Sequence, residues 1–400
     1  MTDHHSNTVN FRDLTLLHPN LKGYSGSCVL GEYAYLSPLM NGPGQFQGNV
    51  VRVHLNHWDK TEYCDVSNWF PMACGYVDTF ADNQYVYFIP FCNKEHHGLL
   101  LRYDSTKLFN SIEAWTLVDL QALVHIQAKG FISGCIDEEY LYLAPYQSSW
   151  TQHHGLAVRY KLSSPIDNPE SWSYFDMSEL HPEARGYHSA VNSNNRIWFV
   201  PYVSENRVYH GHLTAFQSSN GSSFIEKDNW IHFDMTEIHP LAKGYVGGCV
   251  NQNHLYLAPY FNGIERHGLV LKYDTTIPIQ SKNAWDYFDL TSLNSDLRGF
   301  FGSIVHKDHI YFLPHCKEEG VYHGTLVRYD TKMPFSSPES WSYLDTTQFD
   351  PLSKGFMGCS IVNNTLMLIP YETQSMIHSG LICFIDLDKT DFKTLRTPLA

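Results

Sequence analysis

Short apolar runs bounded by Gly, Pro and Asn recur at regular spacing along the whole chain, which is the pattern of an all-β protein. One stretch shows the unit. Tyr245 to Val250 is a short apolar run, Asn251-Gln252-Asn253 turns the chain, and Leu255 to Tyr260 alternates as a strand. Phe261 to Arg266 is a polar loop, Leu269 to Tyr273 a third strand, and Asp286 to Leu290 a fourth. We label these strands A to D, counted outward from a central axis. The unit is written seven times, and six copies open on Lys/Arg-Gly-aromatic, at Lys22, Lys129, Arg185, Lys243, Arg298 and Lys354. The second copy opens on Cys74-Gly75-Tyr76. A spacing of roughly 50–60 residues is the length of a four-stranded blade. The chain is therefore expected to form one seven-bladed β-propeller domain over residues 1–400, with antiparallel blades starting near 22, 74, 129, 185, 243, 298 and 354.

The two ends predict how the ring closes. Asn10-Phe11-Arg12-Asp13-Leu14 matches the strand D phrase Ser173-Tyr174-Phe175-Asp176-Met177, while the last copy loses the pattern after strand C at Leu381 to Asp386. Residues 8–14 should supply the outer strand of blade 7 and remove a sheet edge. Each strand D runs into a phrase such as Asp176 to Pro182 or Asp234 to Pro240, which predicts an Asp-capped helical turn. These D–A connections lie at the same end of the blades as the B–C loops, the end we call the top.

The order of features resembles the Kelch-repeat superfamily. It has a glycine-bearing inner strand and an aromatic second strand. Tyr-Asp closes the third strand (Tyr103-Asp104, Tyr273-Asp274, Tyr329-Asp330), and Trp opens the fourth (Trp115, Trp172, Trp230, Trp285, Trp341). The resemblance spans the chain and implies the propeller fold. Pro-Tyr stands where the Kelch double glycine would, at Pro145-Tyr146, Pro201-Tyr202, Pro259-Tyr260 and Pro370-Tyr371.

Composition narrows the function classes. Aromatics are 14% and charged residues 17%, which suits extensive buried β-surface. A formal net charge of -14 excludes a general nucleic-acid binder, which needs a basic footprint, and disfavours an anionic membrane surface. No apolar run approaches the roughly 20 residues of a membrane-spanning helix. The N-terminal segment has neither basic nor apolar signal-peptide regions. Of nine cysteines, Cys28, Cys135 and Cys249 share a strand A column and read as buried small apolar residues. The expected setting is cytoplasmic and reducing, and the expected state a monomer.

Three sets of residues bear on chemistry. The cations Lys22, Lys129, Arg185, Lys243, Arg298 and Lys354 begin the innermost strands and could focus positive potential on an anionic ligand, or bond within their own blades. The histidines His97, His154, His210, His267, His323 and His378 begin strand C. Adjacent blades there should be on the order of 10 Å apart, so one ion held at about 2.1 Å cannot collect several of them. They read as internal staples, no metal site is assigned, and a metal would have to draw on histidines outside this column. The third set is where the repeat breaks. Asp78 and His188 intrude where other copies carry Val, Gly, Ser or aromatic residues. Cys74 replaces a cation, Gln47 a histidine, and His315 the tyrosine of Pro-Tyr.

The expected function is a small anionic or carbonyl-bearing ligand bound in a top-face funnel. Asp78 and His188 would act as base and acid in a lyase, isomerase, cyclase or hydrolase step. Lys22, Gln47, Cys74, Lys129, Arg185, Lys243, Arg298, His315 and Lys354 would surround the ligand. The alternatives are a protein-interaction platform and a lectin with one site per blade. No phosphate loop, His-Glu-x-x-His, Cys-x-x-Cys or nucleophile elbow is present, so phosphoryl transfer and Rossmann redox chemistry are disfavoured, and the cofactor is left unassigned.

Overall fold

The computed structural model describes residues 8–193, 195–218 and 221–395. The alternating runs form seven four-stranded antiparallel sheets, a seven-bladed β-propeller. Blade 3 is representative: strands A to D are Phe131–Ile136, Tyr140–Pro145, Leu156–Lys161 and Trp172–Asp176, hydrogen-bonded in that order. Blade 7 takes its outer strand from the start of the chain. Val9–Asp13 pairs antiparallel with Leu381–Asp386, Val9 opposite Ile385 and Asp13 opposite Leu381. The segment after Asp386 is not idle: Lys393–Thr394 adds a fifth strand to blade 6 against Ser342 and Tyr343.

Contacts divide the chain into two compact units. One comprises Ser27–Leu39 and Phe46–Gly247 and holds blades 2 to 4 and most of blade 1. The other holds Gly248 onward, the chain before Ser27, and Met40–Gln45. In the first unit, apolar side chains of successive blades interlock. Tyr142 and Phe175 of blade 3 share a cluster with Tyr187, Phe199 and Trp230 of blade 4. In the second, Tyr256 of blade 5 packs with Phe312, Tyr329 and Trp341 of blade 6.

The repeated polar residues have structural work at fixed positions. All seven strand D aspartates accept a hydrogen bond from the backbone N–H two residues on, as Asp176 does from Ser178 at 2.9 Å. Each caps a short helical turn. The five column tryptophans donate Nε1–H to a carbonyl six residues earlier. The residue before the Gly that opens strand C links blade to blade. Its carbonyl accepts the N–H of the next blade's anchor glycine, as His97 does from Gly130 at 3.0 Å and Ser379 from Gly23 at 2.9 Å. Seven such bonds, at 2.9 to 3.2 Å, are found among the described residues, one at each anchor glycine.

That register corrects one assignment. In blade 7 the histidine column is occupied by Ser379, and His378 stands one place earlier, level with Tyr322, His153 and His96. The Ser379-Gly380 pair, rather than His378-Ser379, aligns with His-Gly.

Candidate functional site

The anchor glycines fix the geometry from which the top face is built. Gly130 has φ +62, and a Cβ there would lie 1.6 Å from the Gln147 carbonyl oxygen. Immediately after the anchor the inner strands bulge against strand B. The register shifts between Tyr76 and Thr79, Phe131 and Ser133, Tyr187 and Ser189, Phe300 and Ser303, and Phe356 and Gly358. A bulge re-aims the side chains it contains. Asp78 and His188 both stand in these bulges, so the two repeat-breaking ionisable residues occupy the irregular part of the scaffold.

Their surroundings differ. Asp78 Oδ2 accepts the Ser133 hydroxyl of blade 3 at 2.6 Å, and Oδ1 accepts the Thr79 N–H at 2.8 Å. Ser37 of blade 1 donates to its backbone carbonyl at 3.2 Å. The residue is enclosed by protein yet keeps partial solvent access, and desolvation outweighs those two bonds and pushes its pKa up to about 6. His188 is nearly fully buried between Tyr146 and Tyr202, with ring centroids 6.3 and 5.6 Å away. Burial drives its pKa down to about 3. At neutral pH Asp78 is thus mostly a carboxylate and His188 a neutral imidazole. Both are proton acceptors. Asp78 is tied to Ser133, and His188 to the aromatic rings of blades 3 and 4.

A carboxyl whose pKa rises on folding favours the folded state below its unfolded value and loses that contribution as pH climbs through the folded value. For Asp78 the window runs from 3.8 to about 6, and the loss is on the order of 3 kcal/mol. Asp78→Asn is therefore expected to match the parent in stability near pH 4 and to exceed it near pH 7.5. Urea melts at both pH values check this. A variant less stable at pH 7.5 would mean that the carboxylate is favourably bound there.

The cationic column divides. Arg185 pairs with Glu205 at 2.7 Å, and Arg298 with Glu318 at 2.9 Å and Glu265 at 3.8 Å. Lys129, Lys243 and Lys354 are half-buried, with no carboxylate within ion-pair distance among the described residues. Lys22 is half-buried as well. The column's backbone has a separate role. Histidine Nε2 bonds the carbonyl of Lys129 (His154, 2.8 Å), Arg185 (His210, 2.7 Å) and Cys74 (His97, 3.0 Å). These are the staples anticipated from the sequence. Cys74 keeps the carbonyl bond without the cation, and burial raises its thiol to about 11. Gln47 keeps the inter-blade carbonyl bond, to Gly75, without the imidazole.

Aromatic rings, rather than charges, gather around the bulges. In one unit Phe91, Tyr146 and Tyr202 stand at successive centroid separations of 6.2 and 6.3 Å, with His188 between the last two. In the other, Tyr260, Phe301 and His315 cluster at 4.9 to 5.8 Å, with the Arg266 guanidinium 4.0 Å over Tyr260. His315 is thus a member of an aromatic cluster, its pKa pushed down to about 3 by burial. The Pro-Tyr column was legible as a motif. Its pairing with the bulge residues was not, because it depends on which side chains the bulge re-aims.

Above the rings the B–C loops are more ordered and more apolar than the sequence suggested. Blades 1, 3, 6 and 7 form two-stranded hairpins there, such as Gln147–Ser149 with Gln152–His153, and blades 2, 4 and 5 a single bridge. Their tips carry Trp150, Val208, Ile264, Val321, Met376 and Ile377, all exposed. A cleft of about 200 Å³ lies at this end between blades 3 and 4, lined by His153, His154, Asp176, Arg185 and Glu205. A larger polar groove, about 630 Å³, lies at the opposite end of the same blades, beside Asp137, Arg159 and Asn192. Among the described residues no helix is long and apolar enough to cross a membrane, and all nine cysteines are free thiols.

No family model matches this chain, and no curated protein matches it. Solved structures do. A structure described as YCF48 bound to D1 peptide superposes with a TM-score of 0.56 at 9% identity, covering 98% of both chains. A computationally designed protein, Ika8, superposes with a TM-score of 0.46 at 7% identity, covering 92% of this chain and 96% of its own. At 9% identity the first likeness shows a shared fold.

Proposed function

We propose that this propeller is a binding platform whose top connections take an extended polypeptide segment of a partner protein. The observation that carries the reading is where exposed apolar surface lies. Among the described residues of the unit of blades 5 to 7, eight of the ten large exposed apolar residues sit on B–C or D–A connections at one end of the blades. They include Leu16, Ile264 at 78% exposure, Val321, Leu352 and Ile377; Tyr287 and Met333 alone lie elsewhere. Blades 6 and 7 set their hairpins side by side: Gly320 faces Ser375, and the Tyr322 hydroxyl donates to the Glu372 carboxylate. Apolar surface concentrated on one end marks an interaction site. Rings flanked by backbone groups suit a peptide, whose side chains alternate between apolar and polar. The peptide-bound YCF48 propeller is in keeping with this use of the fold, and only by analogy.

The test is selection of binding peptides from a displayed library on the full-length protein, followed by titration. Ile264→Ser, Val321→Ser and Ile377→Ser each remove an apolar contact of about 1 kcal/mol. Together they are expected to weaken selected peptides roughly 100-fold with no change in melting temperature. The control Tyr287→Ser, on the outer strand, should bind as the parent does. Equal binding by both variants would remove the proposal.

A second reading keeps the small-molecule site. Asp78, held near pKa 6 beside Ser133 in a bulge, is a proton acceptor in a partly enclosed position. A metabolite that raises the melting temperature of the parent but not of Asp78→Asn would favour it. The repeat-lectin reading is not supported in the same way, because imidazoles of its repeated set are engaged with backbone carbonyls.

A further inference from the structure

Blade 4 carries two histidines that its sister blades lack. His212 follows His-Gly, where blades 2, 3 and 5 have Leu99, Leu156 and Leu269. His232 is the middle residue of strand D, where Tyr63, Tyr174, Tyr287 and Tyr343 stand elsewhere. Strand pairing brings them together. His212 is opposite Asp234 and Thr214 opposite His232, so the two histidines are diagonal neighbours on one face of the sheet. Their rings lie 5.1 Å apart, with His232 Nε2 3.2 Å from His212 Nδ1. A third histidine comes from outside the blade. His181, on the connection leaving blade 3, lies 4.3 Å from the His212 ring and 5.1 Å from that of His232.

We propose that His181, His212 and His232 form a divalent-metal site, with Zn²⁺ as the occupant their chemistry favours. One ring nitrogen from each lies within 4.8 Å of the others, and all three residues are half-buried, open to entry from solvent. Two nitrogens on a tetrahedral zinc ion are about 3.3 Å apart, given bonds of 2.0–2.1 Å. The His212–His232 separation already matches. His181, on a connection rather than a strand, closes the remaining distance by turning its ring. The neighbouring His210 is not a fourth ligand: its Nε2 is bonded to the Arg185 carbonyl, and its Nδ1 accepts the His212 N–H. Three imidazoles leave one coordination position for water or an incoming ligand. Asp234 carries a fixed negative charge close to the His212–His232 pair, its Oδ1 held by the Thr236 N–H at 3.0 Å. The ion would tie the blade 3 connection to the outer strands of blade 4, so binding should raise the melting temperature.

The repeat itself supplies the test. Untagged, chelator-stripped full-length protein is titrated with Zn²⁺ by calorimetry and with Co²⁺ by visible absorption. The parent is expected to bind one ion and to give the intense bands of four-coordinate Co²⁺. His212→Leu and His232→Tyr restore residues that other blades carry at the same register. Each should keep the metal-free melting temperature and weaken binding at least 100-fold, and His181→Asn should do likewise. His4 and His5 form a separate histidine pair in the sequence. If His4→Ala/His5→Ala abolishes binding while the blade 4 variants retain it, the proposal is wrong. Failure of the parent to bind Zn²⁺ more tightly than about 10 μM would also overturn it, leaving the three rings as a hydrogen-bonded stack.

Discussion

A chain beginning at Leu14 is expected to show no cooperative thermal transition. Val9–Asp13 is the outer strand of blade 7, and its removal strips the hydrogen-bond partner from Leu381–Asp386. Val9 is 1% exposed and packs with Tyr311, Phe356 and Ile385 in the cluster that joins blades 6 and 7. Without it the last blade would present a bare edge and an open apolar face. The Thr8 carbonyl, which accepts the Asp386 N–H at 2.8 Å, would go as well. A milder form of the experiment is Val9→Asp, which puts an unpaired carboxylate into that cluster. Its expected cost is about 3–5 kcal/mol, read as a lower urea midpoint at constant slope. A synthetic peptide spanning residues 7–16, added to the truncated chain, should restore part of the transition. If the truncated chain melts like the parent, the strand is ornamental and the account of closure is wrong.

The second large effect is expected at the anchor glycines. Gly130→Ala should cost at least about 3 kcal/mol, because two penalties combine. A left-handed conformation costs an alanine roughly 1–2 kcal/mol, and the new Cβ would sit 1.6 Å from the Gln147 oxygen. That oxygen belongs to the backbone of the hairpin, so relief requires moving the hairpin or breaking the Gln147 N–H bond to the Gly130 carbonyl at 2.9 Å. Gly31→Ala separates the two contributions. Gly31 has φ +60, but a Cβ added there would meet nothing within 4 Å, so only the conformational cost applies. Equal losses at the two sites would show that the close approach is unimportant and that left-handed backbone alone demands glycine there.

These two effects also mark what was readable in the chain. The D-phrase at Asn10 to Asp13 could be matched to Ser173 to Asp176 by eye, because a repeat that starts mid-blade must finish with the missing strand. The anchor glycines could be located but not explained, since a contact with Gln147 seventeen positions away depends on how the hairpin folds back. Four of the repeated histidines, His97, His154, His210 and His323, act as staples. Their second role, a carbonyl passed to the next blade's glycine, became visible only because Gln47 and Ser379 perform it without an imidazole. Asp78 and His188 were conspicuous as departures from the repeat. Their partners, Ser133 for one and Tyr146 with Tyr202 for the other, follow from bulges that no spacing rule marks.

The sequence by itself determined the number of blades, the strand order and the closing strand. Each of these follows from periodicity, and a repeated phrase must find the same local minimum every time. Tertiary structure alone decided which apolar residues stay outside. Ile264 and Leu255 are equally hydrophobic in the text, yet one stands exposed at the tip of a loop and the other is fully buried in a strand. It also decided that His181, His212 and His232, spread over fifty-two positions, share one small volume. Strand pairing converts sequence distance into contact, and two of those three residues are where the repeat had room to change without disturbing the blade.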